Sequence, residues 1–227
     1  MKLLAIDTSA EACSAALWWD GALTDRFVVQ PRGHSELILG MMQDLLAEAG
    51  LVPTDLDALA FGRGPGSFTG VRIATAVTQG VAYAADLPVV PVSNLAALAQ
   101  RHFRESGARR ILPAFDARMG EVYWGAYEVD PHGLVALQGR EEVAAPETVC
   151  LPHGGGWQGV GSGWRAYGEV LQQRLGERLV SVHARQLCHA LDIASLGVAA
   201  FRLGDAVSAA EALPIYLRDQ VATPPQR

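Results

Sequence analysis

The spacing of apolar and polar positions changes character several times along the chain. Lys2 to Ile6 is a short apolar run that stops at Asp7. After the turn Thr8-Ser9-Ala10-Glu11, Cys13 to Trp19 and Leu23 to Val29 read as two further strands, joined by the hairpin pair Asp20-Gly21. His34 to Ala49 changes to a helical period. Leu37, Met41 and Leu45 form one stripe, and Ile38, Met42, Leu46 and Ala49 form a neighbouring one. Together they make an apolar face wider than a simple surface helix needs. Leu56 to Phe61 reads as a buried strand and Pro88 to Val92 as another. Leu95 to Arg104 reads as a helix that Ser93 or Asn94 can cap.

The second half repeats this order. Ile111 to Phe115 is apolar and ends at Asp116, as the first strand ends at Asp7. Glu121 to Val129 follows, then the turn Asp130-Pro131-His132-Gly133 and a strand over Leu134 to Gln138. Gly159 to Gly163 closes a strand and opens a helix carrying Val170, Leu171, Leu175 and Leu179. Ile193 to Leu203 is a further amphipathic helix. A strand meander followed by alternating helices and strands, twice over, predicts two α/β lobes over 1–106 and 107–227, with the C-terminal tail free to pack back on the first. Asp7 and Asp116 then lie near the floor of a cleft between them. Glu141 to Gln158 shows no clear regular pattern and reads as a mobile segment. The end of the chain, after Tyr216, reads as frayed.

Between the two strands of the first lobe lies the segment from Ala60 to Ala85. Gly62, Gly64, Gly66 and Gly70 surround Pro65, so the backbone can bend sharply and approach another group closely. Ser67 is placed to cap the helix that follows. Within that helix Gly70, Ala74, Thr78 and Ala82 recur every four residues as a low-relief stripe. Ile73, Val77, Val81 and Ala84 form a second, bulkier stripe suited to a sheet. One helix with two apolar faces needs two partners, which predicts an intermolecular contact along the small-residue stripe. On this reading Ala74→Arg abolishes partner binding in a folded monomer. Met41 and Met42 in the preceding helix suit an adaptable surface.

Composition narrows the choices. Half of the 227 residues are hydrophobic and the formal charge is −6, so tight unaided binding of nucleic acid is not expected. The arginines Arg101, Arg104, Arg109 and Arg110 read as a solvated helix end and connector. No apolar run is long enough for a signal peptide or a membrane span. Cys13, Cys150 and Cys188 fit neither a disulfide framework nor a zinc pattern, which suits the cytoplasm. Lys2 is the only lysine. Gly64-Pro65-Gly66-Ser67 is therefore no Walker loop, and no internal lysine can form a Schiff base. Ser67 does not lie in a G-x-S-x-G elbow.

Chemistry in the cleft would rest on Asp7, Thr8 and Ser9 at the first turn, Asp116 at the second, and Gly161 and Gly163 near a bound adenosine. Two carboxylates there can hold Mg²⁺ through water and orient a phosphate. They can equally end strands and satisfy turn N–H groups, and Gly161 and Gly163 can equally make a tight strand-to-helix turn. Met119 and Glu121 stand where a phosphate binder favours glycine and threonine.

The stretches IDTSAEACSAAL, RGHSELILGMM, FGRGPGSFTGVRIATA, PVSNLAALA, DARMGEVYWGAY and PIYLRDQV together resemble the TsaB (YeaZ) family, within the actin, sugar kinase and Hsp70 superfamily. The resemblance spans nearly the whole chain. It implies an α/β fold of two actin-like (ribonuclease H-like) lobes, each a mixed sheet with flanking helices. It also implies a non-catalytic accessory subunit of tRNA threonylcarbamoyladenosine synthesis that binds the paralogue TsaD and the ATPase TsaE, forms a homodimer when alone, and meets tRNA only through the complex. TsaD transfers the threonylcarbamoyl group to an adenosine beside the anticodon. The implied interface uses the helices His34–Ala49 and Thr69–Ala84, with His34, Leu37, Ile38, Met41, Met42, Leu45, Thr69, Gly70, Ile73, Ala74, Val77 and Thr78 as its residues. The two histidines that hold the metal in TsaD fall here on Asn94 and Leu98, and leucine has no lone pair to donate. No cofactor is required on this reading, and weak ATP or ADP binding in the cleft stays open. The competing class is an independent ATP-dependent enzyme acting through Asp7 and Asp116.

Overall fold

The structure is a computed structural model that describes residues 1–218. Strands β1 (Lys2–Asp7), β2 (Ala12–Trp19), β3 (Ala22–Val29), β4 (Ala58–Gly62) and β5 (Val89–Val92) form one sheet in the order β3-β2-β1-β4-β5. β1, β4 and β5 run parallel, and β2 and β3 complete the antiparallel meander. Its hairpin turns at Asp20 and Gly21, both at positive φ (47° and 97°), as a two-residue turn of matching twist requires. β6 (Arg110–Arg118), β7 (Glu121–Trp124), β8 (Tyr127–Val129), β9 (Val135–Leu137), β10 (Glu142–Ala144), β11 (Trp157–Val160) and β12 (Leu179–His183) form the second sheet. Its main path is β10-β7-β6-β11-β12, with β8 pairing both β6 and β9.

The five helices set the layers. α1 (His34–Glu48) and α2 (Phe68–Ala85) cover one face of the first sheet, meeting Leu4, Ile6, Leu59 and Phe61. Alternate residues of the same strands, Leu3, Ala5, Ala58 and Ala60, face the other way onto α5 (Ala190–Leu203). α3 (Asn94–Ser106) sends Leu95, Leu98 and Ala99 against Ile111 and Phe115 of the second sheet, and α4 (Ser162–Leu175) covers that sheet's outer face. α3 and α5 also pack on each other. The order of layers is therefore helices, sheet, helices, sheet, helix.

This arrangement departs from a simple division at 106. The strands divide there, but the helices cross over. α3, from the first half, covers the second sheet, and α5, from the second half, covers the first. The helical pattern gives each segment's apolar face but not the sheet that receives it.

Two further expectations change. β6 continues past Asp116 to Arg118. Glu141 to Gln158 is anchored: β10 pairs with β7, the Cys150 N–H donates to Glu142 at 2.6 Å, and Arg174 donates to the Pro146 carbonyl at 2.7 Å. The pairing with β7 and the Arg174 bond come from distant segments and leave no periodic trace in the sequence. The chain then runs as a strap over the first lobe. Val207 bridges Val89, Gln79 donates to the Ala212 carbonyl and the Ile215 N–H to the Arg63 carbonyl. Arg218 pairs with Glu121 of the second lobe. Most of the tail expected to fray, including Thr223 to Arg227, lies outside the described residues. Among the described residues no helix is long and apolar enough to cross a membrane.

Candidate functional site

At the end of β1 the Asp7 carboxylate is buried. Its Oδ1 accepts from Asn94 Nδ2 at 2.7 Å and from the Ser9 N–H at 3.3 Å. The same Asn94 nitrogen donates to Ser9 Oγ at 2.8 Å, and Asn94 Oδ1 accepts from the Gly64 N–H at 2.8 Å. Burial pushes the Asp7 carboxyl above the ordinary carboxylate range, against the lowering effect of these hydrogen bonds. Its Oδ2 is buried, with no hydrogen-bond partner among the described residues. Gly62 must be glycine here, because a Cβ would stand 2.5 Å from Asn94 Nδ2 and 2.6 Å from Asp7 Oδ1.

The turn after Asp7 is closed by the chain itself. Thr8 Oγ1 donates to the Gly70 carbonyl at 2.6 Å, and the Ser9 carbonyl accepts from the Ser67 N–H at 2.7 Å. A Cβ on Gly70 would overlap the Thr8 carbonyl oxygen. Ser67 caps α2 as expected, its Oγ accepting from the Gly70 N–H at 3.3 Å. Thr8 and Ser9 are thus packed under the start of α2.

The second lobe is built differently. Asp116 accepts from the Arg118 N–H at 2.8 Å and pairs with the Arg118 guanidinium at 2.9 Å. Gly161 and Gly163 are placed by packing. A Cβ on Gly161 would lie 2.5 Å from the Ala114 carbonyl oxygen and 2.7 Å from Leu98, and one on Gly163 would lie 2.8 Å from the Ala114 Cβ. Their missing side chains let α4 close on β6, as a tight strand-to-helix turn requires. Leu98 lies in the core of the second lobe, and Asn94 is occupied with Asp7, Ser9 and Gly64.

On the opposite face of the first sheet, α1 and α2 lie side by side. The two stripes of α2 are reversed relative to expectation. Gly70, Ala74, Thr78 and Ala82 are buried within the chain, while Ile73, Val77 and Val81 are half-buried along the flank. Both stripes are apolar, so periodicity could not rank them. Gly70 takes the inner position because the start of α2 lies close on the Thr8–Ser9 turn, and Ala74, Thr78 and Ala82 follow on the same buried face. Ala74→Arg would therefore put a charge into the core. In α1, His34, Ile38, Met42 and Leu45 are likewise buried, and Leu37 and Met41 are half-buried. Of the expected interface residues, Thr69 is exposed. Leu37, Met41, Ile73 and Val77 stand at the border of the surface.

The exposed ridge of α2 is a different series: Phe68, Arg72, Ala76, Gly80 and Tyr83. Phe68 is 66% exposed and Tyr83 86%, and Leu39 on α1 is 46% exposed. Gly80, and Gly40 in α1, sit inside helices, and among the described residues nothing lies within 4 Å of a Cβ added to either. A glycine in a helix interior costs about 0.5–1 kcal/mol relative to alanine, and among the described residues no neighbour requires either one. The sequence held a signal for this ridge, the i, i+4 run from Phe68 to Gly80, but the stronger small-residue repeat beside it masked it.

The family model that matches residues 28–225 is that of TsaD, tRNA N6-adenosine threonylcarbamoyltransferase. The tRNA threonylcarbamoyladenosine biosynthesis protein TsaB of Escherichia coli (strain K12) is 44% identical, covering 98% of this chain and 96% of its own. The protein of the same name from Haemophilus influenzae is 40% identical over 97% of this chain and 95% of its own. The solved structure of YeaZ from Pseudomonas aeruginosa superposes with a TM-score of 0.89 at 49% identity, covering 95% of this chain and 99% of that one. With the two α/β lobes in place and the similarity running almost end to end, the chain belongs to the TsaB (YeaZ) family of tRNA threonylcarbamoyladenosine biosynthesis proteins, a branch of the TsaD-like, actin-like fold.

Proposed function

We propose that this chain is a non-catalytic accessory subunit that docks a TsaD-type paralogue along α1 and α2 and so supports threonylcarbamoyl transfer to the adenosine beside the anticodon of tRNA. A TsaE-type ATPase joins the pair, and tRNA is reached through the complex. Without the paralogue, the same ridge pairs two copies of the chain.

The observation that carries this reading is the ridge itself. Gly40 and Gly80 each leave open space where a side chain would stand, Leu37, Met41, Ile73 and Val77 are half-buried on the same two helices, and Phe68 and Tyr83 are exposed. Such a surface lets a partner's helices approach closely and bury apolar area. The cleft supports the same reading from the other side. The Thr8–Ser9 turn spends its groups on α2, and Asp116 is tied to Arg118. A nucleotide in the cleft is at most a weak ligand on this account.

Calorimetric titration with the purified paralogue tests the proposal. Gly80→Leu adds bulk at an open surface position without touching the core, so it is expected to weaken binding at least about tenfold while the chain stays folded. Unchanged affinity would refute docking on this ridge. Robust ATP turnover by the chain alone, lost in Asp7→Ala, would refute the non-catalytic role.

A further inference from the structure

The geometry points to a third element of the docking face, the C-terminal strap, and to Arg72 as the receptor for a carboxylate side chain of the docked partner. This rests on the reading that the α1–α2 ridge docks a TsaD-type paralogue, and it adds the chemistry that the partner must present.

The strap runs along the side of α2. Gln79 holds it at Ala212, Arg63 at Ile215, and Glu121 at Arg218. These ties bring Tyr216 to Phe68, with ring centroids 6.5 Å apart. The Arg72 guanidinium lies 3.2 Å from the Phe68 centroid and 5.3 Å from that of Tyr216. Two aromatic faces thus fix a cation whose donors stay at the surface. Tyr216 is 47% exposed, and Leu213 and Ile215 of the strap extend the apolar surface beside it.

Arg72 is the one charged residue in the series Phe68, Arg72, Ala76, Gly80, Tyr83. A partner that covers this ridge covers that charge. Burying a guanidinium without a counter-charge is strongly unfavourable, whereas a carboxylate meets its planar fork with two parallel hydrogen bonds. The apolar and aromatic surroundings suit a side chain delivered by a packed protein surface. A nucleic-acid backbone would need several cations along the ridge, and this ridge has one.

The experiment titrates the paralogue into wild type, Arg72→Met, Arg72→Lys, Tyr216→Ala and Gly80→Leu at low and high salt. The thermal melt of each variant checks its fold. Arg72→Met is expected to lose at least about tenfold in affinity and to lose the salt dependence of wild type. Arg72→Lys is expected to fall between the two. Tyr216→Ala is expected to weaken binding by releasing Arg72. If Gly80→Leu abolishes binding while Arg72→Met binds like wild type, docking stands and the carboxylate receptor is overturned. If Arg72→Met leaves paralogue affinity unchanged but reduces tRNA retention by the complex, the ligand of Arg72 is a phosphate and the proposal is again overturned. If Gly80→Leu and Arg72→Met both bind like wild type, the docking reading fails with it.

Discussion

Ala74 shows how much depends on one methyl group. It is fully buried against the first sheet, so Ala74→Arg is expected to destabilise the fold by about 3 kcal/mol or more, read as a lowered urea midpoint. Gly70→Ala is expected to cost about 1–3 kcal/mol, because the new Cβ meets the Thr8 carbonyl. His189 gives a pH dependence. Burial pushes its ring from 6.5 down to about 4, with Asp25 opposing and Arg101 and Arg104 assisting. Its neutral Nδ1 accepts from the Leu191 N–H at 3.1 Å and caps α5, and protonation removes that acceptor. The folded pKa lies below the unfolded one, so this contribution is complete above about pH 6.5 and is lost as pH falls towards 4. His189→Asn, which caps without titrating, is expected to flatten the slope of unfolding free energy across that window in denaturant melts at a series of pH values. Residue-scale features were legible where the physics is local. The Ser67 and Ser93 caps and the Asp20-Gly21 turn each follow from a few adjacent residues. The roles of Asn94, Gly161 and Gly163 depend on partners far away in sequence, and only the fold supplies them.

At the scale of elements, α1 and α2 carry glycines that weaken them as helices. Gly40→Ala and Gly80→Ala are each expected to raise stability by about 0.5–1 kcal/mol, measured as a higher urea midpoint, because an added Cβ meets nothing at either site. A stability gain coupled to weaker paralogue binding in the bulkier Gly80→Leu would separate the role of the ridge from folding. Most helices were readable from period and caps, as were the first-lobe strands, but α4 ends at Leu175 and Leu179, read as part of that helix, instead begins β12. The inward face of α2 was not, since an apolar stripe of small residues and one of larger residues score alike. The strand β10 was missed because it is three residues long and is held by long-range pairing with β7.

The whole molecule is tied together by helix exchange. α5 closes the first sheet, and its Gly197 sits so near Ala60 that an added Cβ would come within 2.9 Å of the Ala60 Cβ. The fragment 1–106 lacks α5 and is expected to remain unfolded alone, with structure returning when 107–227 is added, as followed by circular dichroism. Two repeated patterns in the sequence disclosed the two sheets but not this interlocking, which depends on how α3 and α5 pass between them. The same architecture turns α1 and α2 outward, on the far side of the first sheet from α5, and on the proposed reading their ridge is the surface for assembly. Hydrogen exchange of the chain with and without the TsaD-type paralogue tests that claim most directly. The account predicts new protection over His34–Glu48, Phe68–Ala85 and the strap around Tyr216, with the Asp7 and Asp116 turns unchanged. A complex that forms while those helices exchange as in the free chain, with protection at the cleft instead, would contradict it.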